Sequence, residues 1–142
     1  ERALEIIHAN HHSGDTIQLT LGGYSDQFAG NPVSINGMVE HVGKHQDRST
    51  AVIRFGGNNR VILTQHLTQV TDTLIFRPMG IPFDDLDIIV LKSRVHFRRG
   101  YHETGVAGAI FEVDAPGWGP ADLSTLPYQN GPRHLYPIHR KQ

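Results

Sequence analysis

The chain has 142 residues, 38% hydrophobic and 19% charged, with a formal net charge of −1. That size and balance fit one globular domain with its own core and provide no long-range attraction toward nucleic acid or anionic lipid. Cysteine is absent, which excludes disulfides, thiolate nucleophiles and Cys-ligated zinc. No apolar run approaches the roughly 20 residues that span a bilayer, and Glu1-Arg2 opens no signal-peptide core. The expectation is a cytoplasmic domain with no membrane partner.

In chain order, Leu4, Ile6 and Ile7 predict a short amphipathic helix over Glu1–Ala9. His11 to Asp15 breaks it. Thr16 to Leu21 alternates, with Ile17, Leu19 and Leu21 on one side, and ends at Gly22-Gly23: a half-buried strand. A second strand follows Gly30-Asn31-Pro32, with Val33, Ile35 and Val39 on a common face and a bulge or bend expected at Gly37. Ala51 to Phe55 and Val61 to Gln65 flank Gly56-Gly57-Asn58-Asn59, a hairpin signal because these residues tolerate positive φ. Thr71-Asp72 caps a short helix that runs through Phe76 and is ended by Pro78 and Gly80.

Asp87 to Leu91 and Ala109 to Asp114 are apolar, β-branched runs around a segment of helical spacing, the pattern of a parallel β–α–β unit. Beyond Asp114 the chain is rich in Pro and Gly, an extended strap anchored by Trp118, Leu126, Tyr128, Leu135 and Tyr136. The predicted fold is therefore a single α+β domain: mainly antiparallel strands, one β–α–β crossover and the strap.

A crossover gathers polar residues at the carboxyl ends of its strands. Lys92, Ser93, His96 and Asp114 fall on that rim. Ser93 stands where the strand should give way to the helix and is the expected N-cap. Free N–H groups of the first turn and the Lys92 charge would then favour an anion. His96, in that turn, is the candidate catalytic residue, able to accept or donate a hydrogen bond, and Asp114 could pair with Lys92 or orient His96. Phe97, Tyr101 and Thr104 share the core face at about 100° per residue. Arg98 lies across that face from His96, so it takes a structural or second-site role. A capping serine with a solvated lysine beside it is the plainer account of the same residues.

These residues resemble the C-terminal domain of the MlrC family, the microcystin-degrading metallopeptidase and its relatives. The resemblance rests on K-S-x-x-H-F-R at Lys92, Ser93, His96, Phe97 and Arg98, and on V-D-A-P-G at Val113 to Gly117. Leu126-Pro127-Tyr128 and Arg133-His134-Leu135-Tyr136-Pro137 continue it. Leu21-Gly22-Gly23, Gly30 to Val33, Val61 to Thr64 and Phe76 to Gly80 are weaker matches in family order. It implies one part of a two-part zinc-dependent peptidase or amidohydrolase. The metal would sit in an N-terminal catalytic domain of the same parent chain, upstream of Glu1 together with a D-N-x-G-G-G stretch. Zinc is thus implied for the parent, none for this fragment, and the fragment alone is expected to be inactive. The substrate implied is a peptide or amide; the geometry of the rim, rather than the resemblance, makes Lys92, Ser93, Arg98 and Asp114 the candidates to hold it.

His8, His11 and His12 form H-x-x-H-H, but no H-E-x-x-H helix supplies a zinc site, and a solvated loop is expected there. His41, His45 and His66 are expected at the surface or with satisfied partners. No G-x-S-x-G elbow, phosphate loop or dinucleotide signature is present. Two rivals remain: a non-catalytic module for interaction, stability or homo-oligomerisation, and an independent small-molecule binding domain.

Overall fold

The computed structural model describes residues 2–24, 30–93, 95–113, 123, 126–131 and 134. These fall into two compact units, residues 1–21 with 33–110, and residues 22–32 with 111–142.

The first unit is built on one antiparallel sheet in the order β1 (Thr16–Leu21), β2 (Val33–His45), β3 (Arg48–Phe55), β4 (Asn59–Thr64). Ala51, Val52 and Ile53 are consecutive, and all three are fully buried. That is possible only where both sheet faces are covered. Helix α1 (Arg2–Asn10) covers one face, burying Leu4 and Ile7 against Ile17, Leu19, Ile35, Val39, Ala51 and Ile53. On the other face Val52 meets Ile75, Phe76, Met79, Ile81 and Tyr101, carried by short 3₁₀ turns and one π-helical turn, Arg98–His102. Each fully buried aliphatic side chain contributes about 1.5–3 kcal/mol, and β3 contributes to both cores.

The turns follow their residue chemistry. Gly56 and Gly57 take positive φ between β3 and β4, as the Gly-Gly-Asn-Asn stretch predicts. Between β2 and β3 the positive-φ positions are Gln46 and Asp47, a two-residue reversal made without glycine. Asp tolerates the left-handed region better than most residues, yet no glycine marks this turn in the sequence. Thr71-Asp72 caps as expected: the Asp72 side chain accepts from the Leu74 N–H at 2.9 Å.

Gly37 does not form the expected bulge. It pairs regularly with Ile17 and Phe55, and the register shifts between Val39 and His41. Gly37 serves close approach instead, since a Cβ there would lie 2.6 Å from the Arg54 carbonyl oxygen. The bulge makes Glu40 the extra residue, so that Val39 and Val42 both face the α1 core. Glu40 pairs with Arg60 through two hydrogen bonds, Nε at 2.6 Å and Nη2 at 3.1 Å. Those bonds raise the Arg60 pKa, against the opposing effect of burial.

The α+β class and antiparallel sheet agree with the expectation. The crossover needs correction. Among the described residues, Asp87–Ser93 and Ala109–Val113 form no strand, and the segment between them holds only the five-residue turn Arg98–His102. Asp87–Leu91 has no regular element, and Ile89 and Leu91 pack half-buried against the second core. In the second unit Leu126 and Tyr128 are 38% and 44% exposed. Asp114, Trp118, Leu135 and Tyr136 lie outside the described residues.

Candidate functional site

The best-fixed corner near the K-S-x-x-H-F-R motif is assembled from two stretches, Gln69–Asp72 and His96–Tyr101. Tyr101 is buried, and its hydroxyl donates to the Asp72 carbonyl at 2.6 Å. Burial, and secondarily the negative charge of Asp72, push the Tyr101 pKa up to about 12. Gly100 permits the two backbones to touch: a Cβ there would lie 2.1 Å from the Thr71 carbonyl oxygen. The π-helical turn closes with the Glu103 N–H on the Arg98 carbonyl at 2.9 Å. One hydroxyl and one missing side chain thus dock the motif against the 69–72 loop.

On this frame Gln69 Nε2 lies 2.7 Å from His96 Nδ1. An amide nitrogen can only donate, so Nδ1 accepts and the ring proton resides on Nε2. No second hydrogen bond to this exposed ring occurs among the described residues. The ring is therefore oriented, with an N–H left to offer to an acceptor.

The remaining motif residues are distributed differently from the expectation. Ser93 does not cap the helical turn. The N-cap is Phe97, without a side-chain bond, and the buried Ser93 Oγ has no hydrogen-bond partner among the described residues. A five-residue π turn also has too few aligned peptides to reproduce the expected helix N-terminus beside Lys92. Lys92 is exposed. The Arg98 guanidinium stands 5.3 Å from the centroid of the Phe97 ring, within cation–π range. Asp114 lies outside the described residues.

Gln69 had no motif around it in the sequence, and its only signal is the 27-residue contact itself. Gly100 was equally unmarked, although a glycine inside a helical pattern points to close packing. His41 also departs from the exposed or satisfied state expected of it. Its buried Nε2 has no partner among the described residues, and the ring occupies the space that a Gly43 side chain would need, 2.6 Å from where a Cβ would lie.

Among the described residues no three metal-ligating side chains converge. His8 bonds to the Thr50 carbonyl, His11 to that of Ile6, and His12 stands beside Asp15. The described residues therefore do not fit a resident zinc ion. A shallow apolar cleft of about 440 Å³, lined by residues that include Leu74, Phe76, Arg77 and Phe83, shares no residue with the His96 corner. No helix among the described residues is long and apolar enough to cross a membrane.

Fold and site together define a small α+β domain with an oriented histidine at its surface and no assembled metal centre among the described residues. The chain matches the family described as the MlrC C-terminus over residues 2–130, and it belongs to that family. No curated protein and no solved structure matches it.

Proposed function

We propose that this domain forms one wall of the substrate cleft in an MlrC-like zinc-dependent peptidase or amidohydrolase, beside a metal-bearing N-terminal domain of the same chain. The observation that carries this reading is the His96–Gln69 hydrogen bond on a corner fixed by Tyr101 and Gly100, within the motif that matches the family. In the tautomer that Gln69 selects, His96 presents Nε2–H to a substrate carbonyl or carboxylate. Its role is then hydrogen-bond donation and positioning rather than proton abstraction. Lys92 supplies a cation that attracts an anionic substrate group, and Arg98 is retained for structure through Phe97. Any metal chemistry would belong to the other domain.

The test is kinetic, in the full-length enzyme. His96→Ala is expected to lower kcat/KM by about 10-fold or more, and Lys92→Ala by less. If both variants retained kcat/KM within about a factor of two, the cleft role would be abandoned.

A second reading, a module for interaction or self-association without substrate contact, has an observation of its own. Ile88 and Val90 are 82% and 90% exposed. Unchanged kinetics for both variants, together with dimerisation in sedimentation experiments, would favour it.

A further inference from the structure

The short turns that build the second core reverse direction at Gly80, whose φ is 69°. The reversal brings the Met79 and Ile81 N–H groups onto one acceptor, the Phe76 carbonyl, each at 3.1 Å. Phe76 and Ile81 are 5% and 4% exposed and belong to the core, so they give the apolar cleft a fixed floor. Phe83 lines it beside them, its ring centroid 5.6 Å from that of Phe76. Leu74 lines it as well and is 72% exposed. The volume of about 440 Å³ admits a small organic molecule.

The polar part of the lining is one-sided. It consists of Thr73 and Arg77, a hydroxyl that can donate a hydrogen bond and a guanidinium that can only donate. No acidic residue lines the cleft. Asp84 and Asp85 follow Phe83 in the chain without entering the lining, and Asp85 acts on Arg60. Arg77 is exposed, and its planar fork of N–H groups matches the two oxygens of a carboxylate. We propose that this cleft binds a small monocarboxylate with an aromatic or branched aliphatic body. The body rests on Phe76, Ile81 and Phe83, with Leu74 beside it, and the carboxylate pairs with Arg77. A neutral ligand would leave the guanidinium unused, and a dianion would set its second charge against apolar walls at a desolvation cost. The cleft shares no residue with the His96 corner, so the proposal stands apart from the role given to His96.

Binding to the full-length protein tests this, with hydrocinnamate as the probe and its primary amide as the neutral control. Hydrocinnamate is expected to bind with a Kd on the order of 1 mM, ordinary for so small a ligand, and to shift the methyl signals of Leu74 and Ile81. The amide should bind about 10-fold more weakly, since it lacks the charge-assisted pair. Arg77→Gln should lower affinity for the carboxylate by about 10-fold and leave that for the amide unchanged. Leu74→Ser should weaken both by about 3-fold. Both positions are exposed, so each variant should keep the Tm of the wild type. Equal affinity for carboxylate and amide, or undiminished carboxylate binding by Arg77→Gln, would overturn the proposal. So would no binding at about 10 mM probe, or signal shifts confined to residues outside the cleft. Leu74 signals that move with protein concentration in the absence of probe would identify a second copy as the occupant and overturn it too.

Discussion

Residues 50–55 of β3 and residues 87–91 are both short runs dominated by β-branched and aliphatic side chains, yet they meet opposite fates. Val52 and Ile53 are fully buried between two layers, while Ile88 and Val90 stand in solvent. What separates them is the distance to a partner strand. β3 lies between β2 and β4, each reached through a turn of two or three residues, so pairing closes locally at little entropic cost. A parallel crossover needs a partner a dozen or more residues away, and among the described residues 87–91 has none. β-propensity describes a surface suited to pairing; the neighbour decides whether pairing occurs.

Substitutions can break or sharpen this contrast. The largest effect is expected at β3, where Ile53→Ala should cost about 2–5 kcal/mol in chemical denaturation. A cost below about 1 kcal/mol would contradict a core closed on both faces. Gly100→Ala comes next, at about 1–3 kcal/mol, because its Cβ meets the Thr71 carbonyl oxygen and the clash is with backbone. It should also weaken the Gln69–His96 contact, readable as a change in the His96 ring-nitrogen shifts.

Tyr101→Phe removes the hydrogen bond to the Asp72 carbonyl and is expected to cost about 0.5–1.5 kcal/mol. Its pH signature is more specific. The folded-state pKa of about 12 exceeds the unfolded value of about 10, so the folded protein binds the phenolic proton more tightly. The corresponding stability is complete below about pH 10 and is lost as pH rises from there through about 12. A denaturation series across that window should show the loss in the wild type and its absence in Tyr101→Phe.

Glu40→Gln weakens the charge-assisted pair with Arg60 and should cost about 1 kcal/mol, with reduced effect at high salt. At the small end, Val90→Thr should change the stability of residues 1–142 by no more than about 0.5 kcal/mol.

Much of the sheet was legible beforehand because its signals are local. Alternation at Thr16–Leu21 set a half-buried strand, and the glycines at 56 and 57 set the hairpin. The bulge at Glu40 was not legible, because Gly37 was the visible irregularity and the register shift answers to the α1 core, which takes both Val39 and Val42. In the candidate site the motif drew attention to His96, but not to the residue that orients it. The expected Ser93 cap failed for a related reason: an N-cap depends on where the helix starts, and packing of Gly100 and Tyr101 on Thr71–Asp72 fixes that start.

The amino-acid order alone determined the class of fold, the hairpin between β3 and β4, and the family to which the chain belongs, since each depends on residues close in sequence or on motifs in fixed order. Tertiary structure alone decided that Gln69 sets the His96 tautomer, that Glu40 bridges to Arg60, and that Asp87–Leu91 pairs with no strand among the described residues. Those outcomes depend on contacts across 20 or more residues or on the absence of a partner, and neither is encoded in any local pattern.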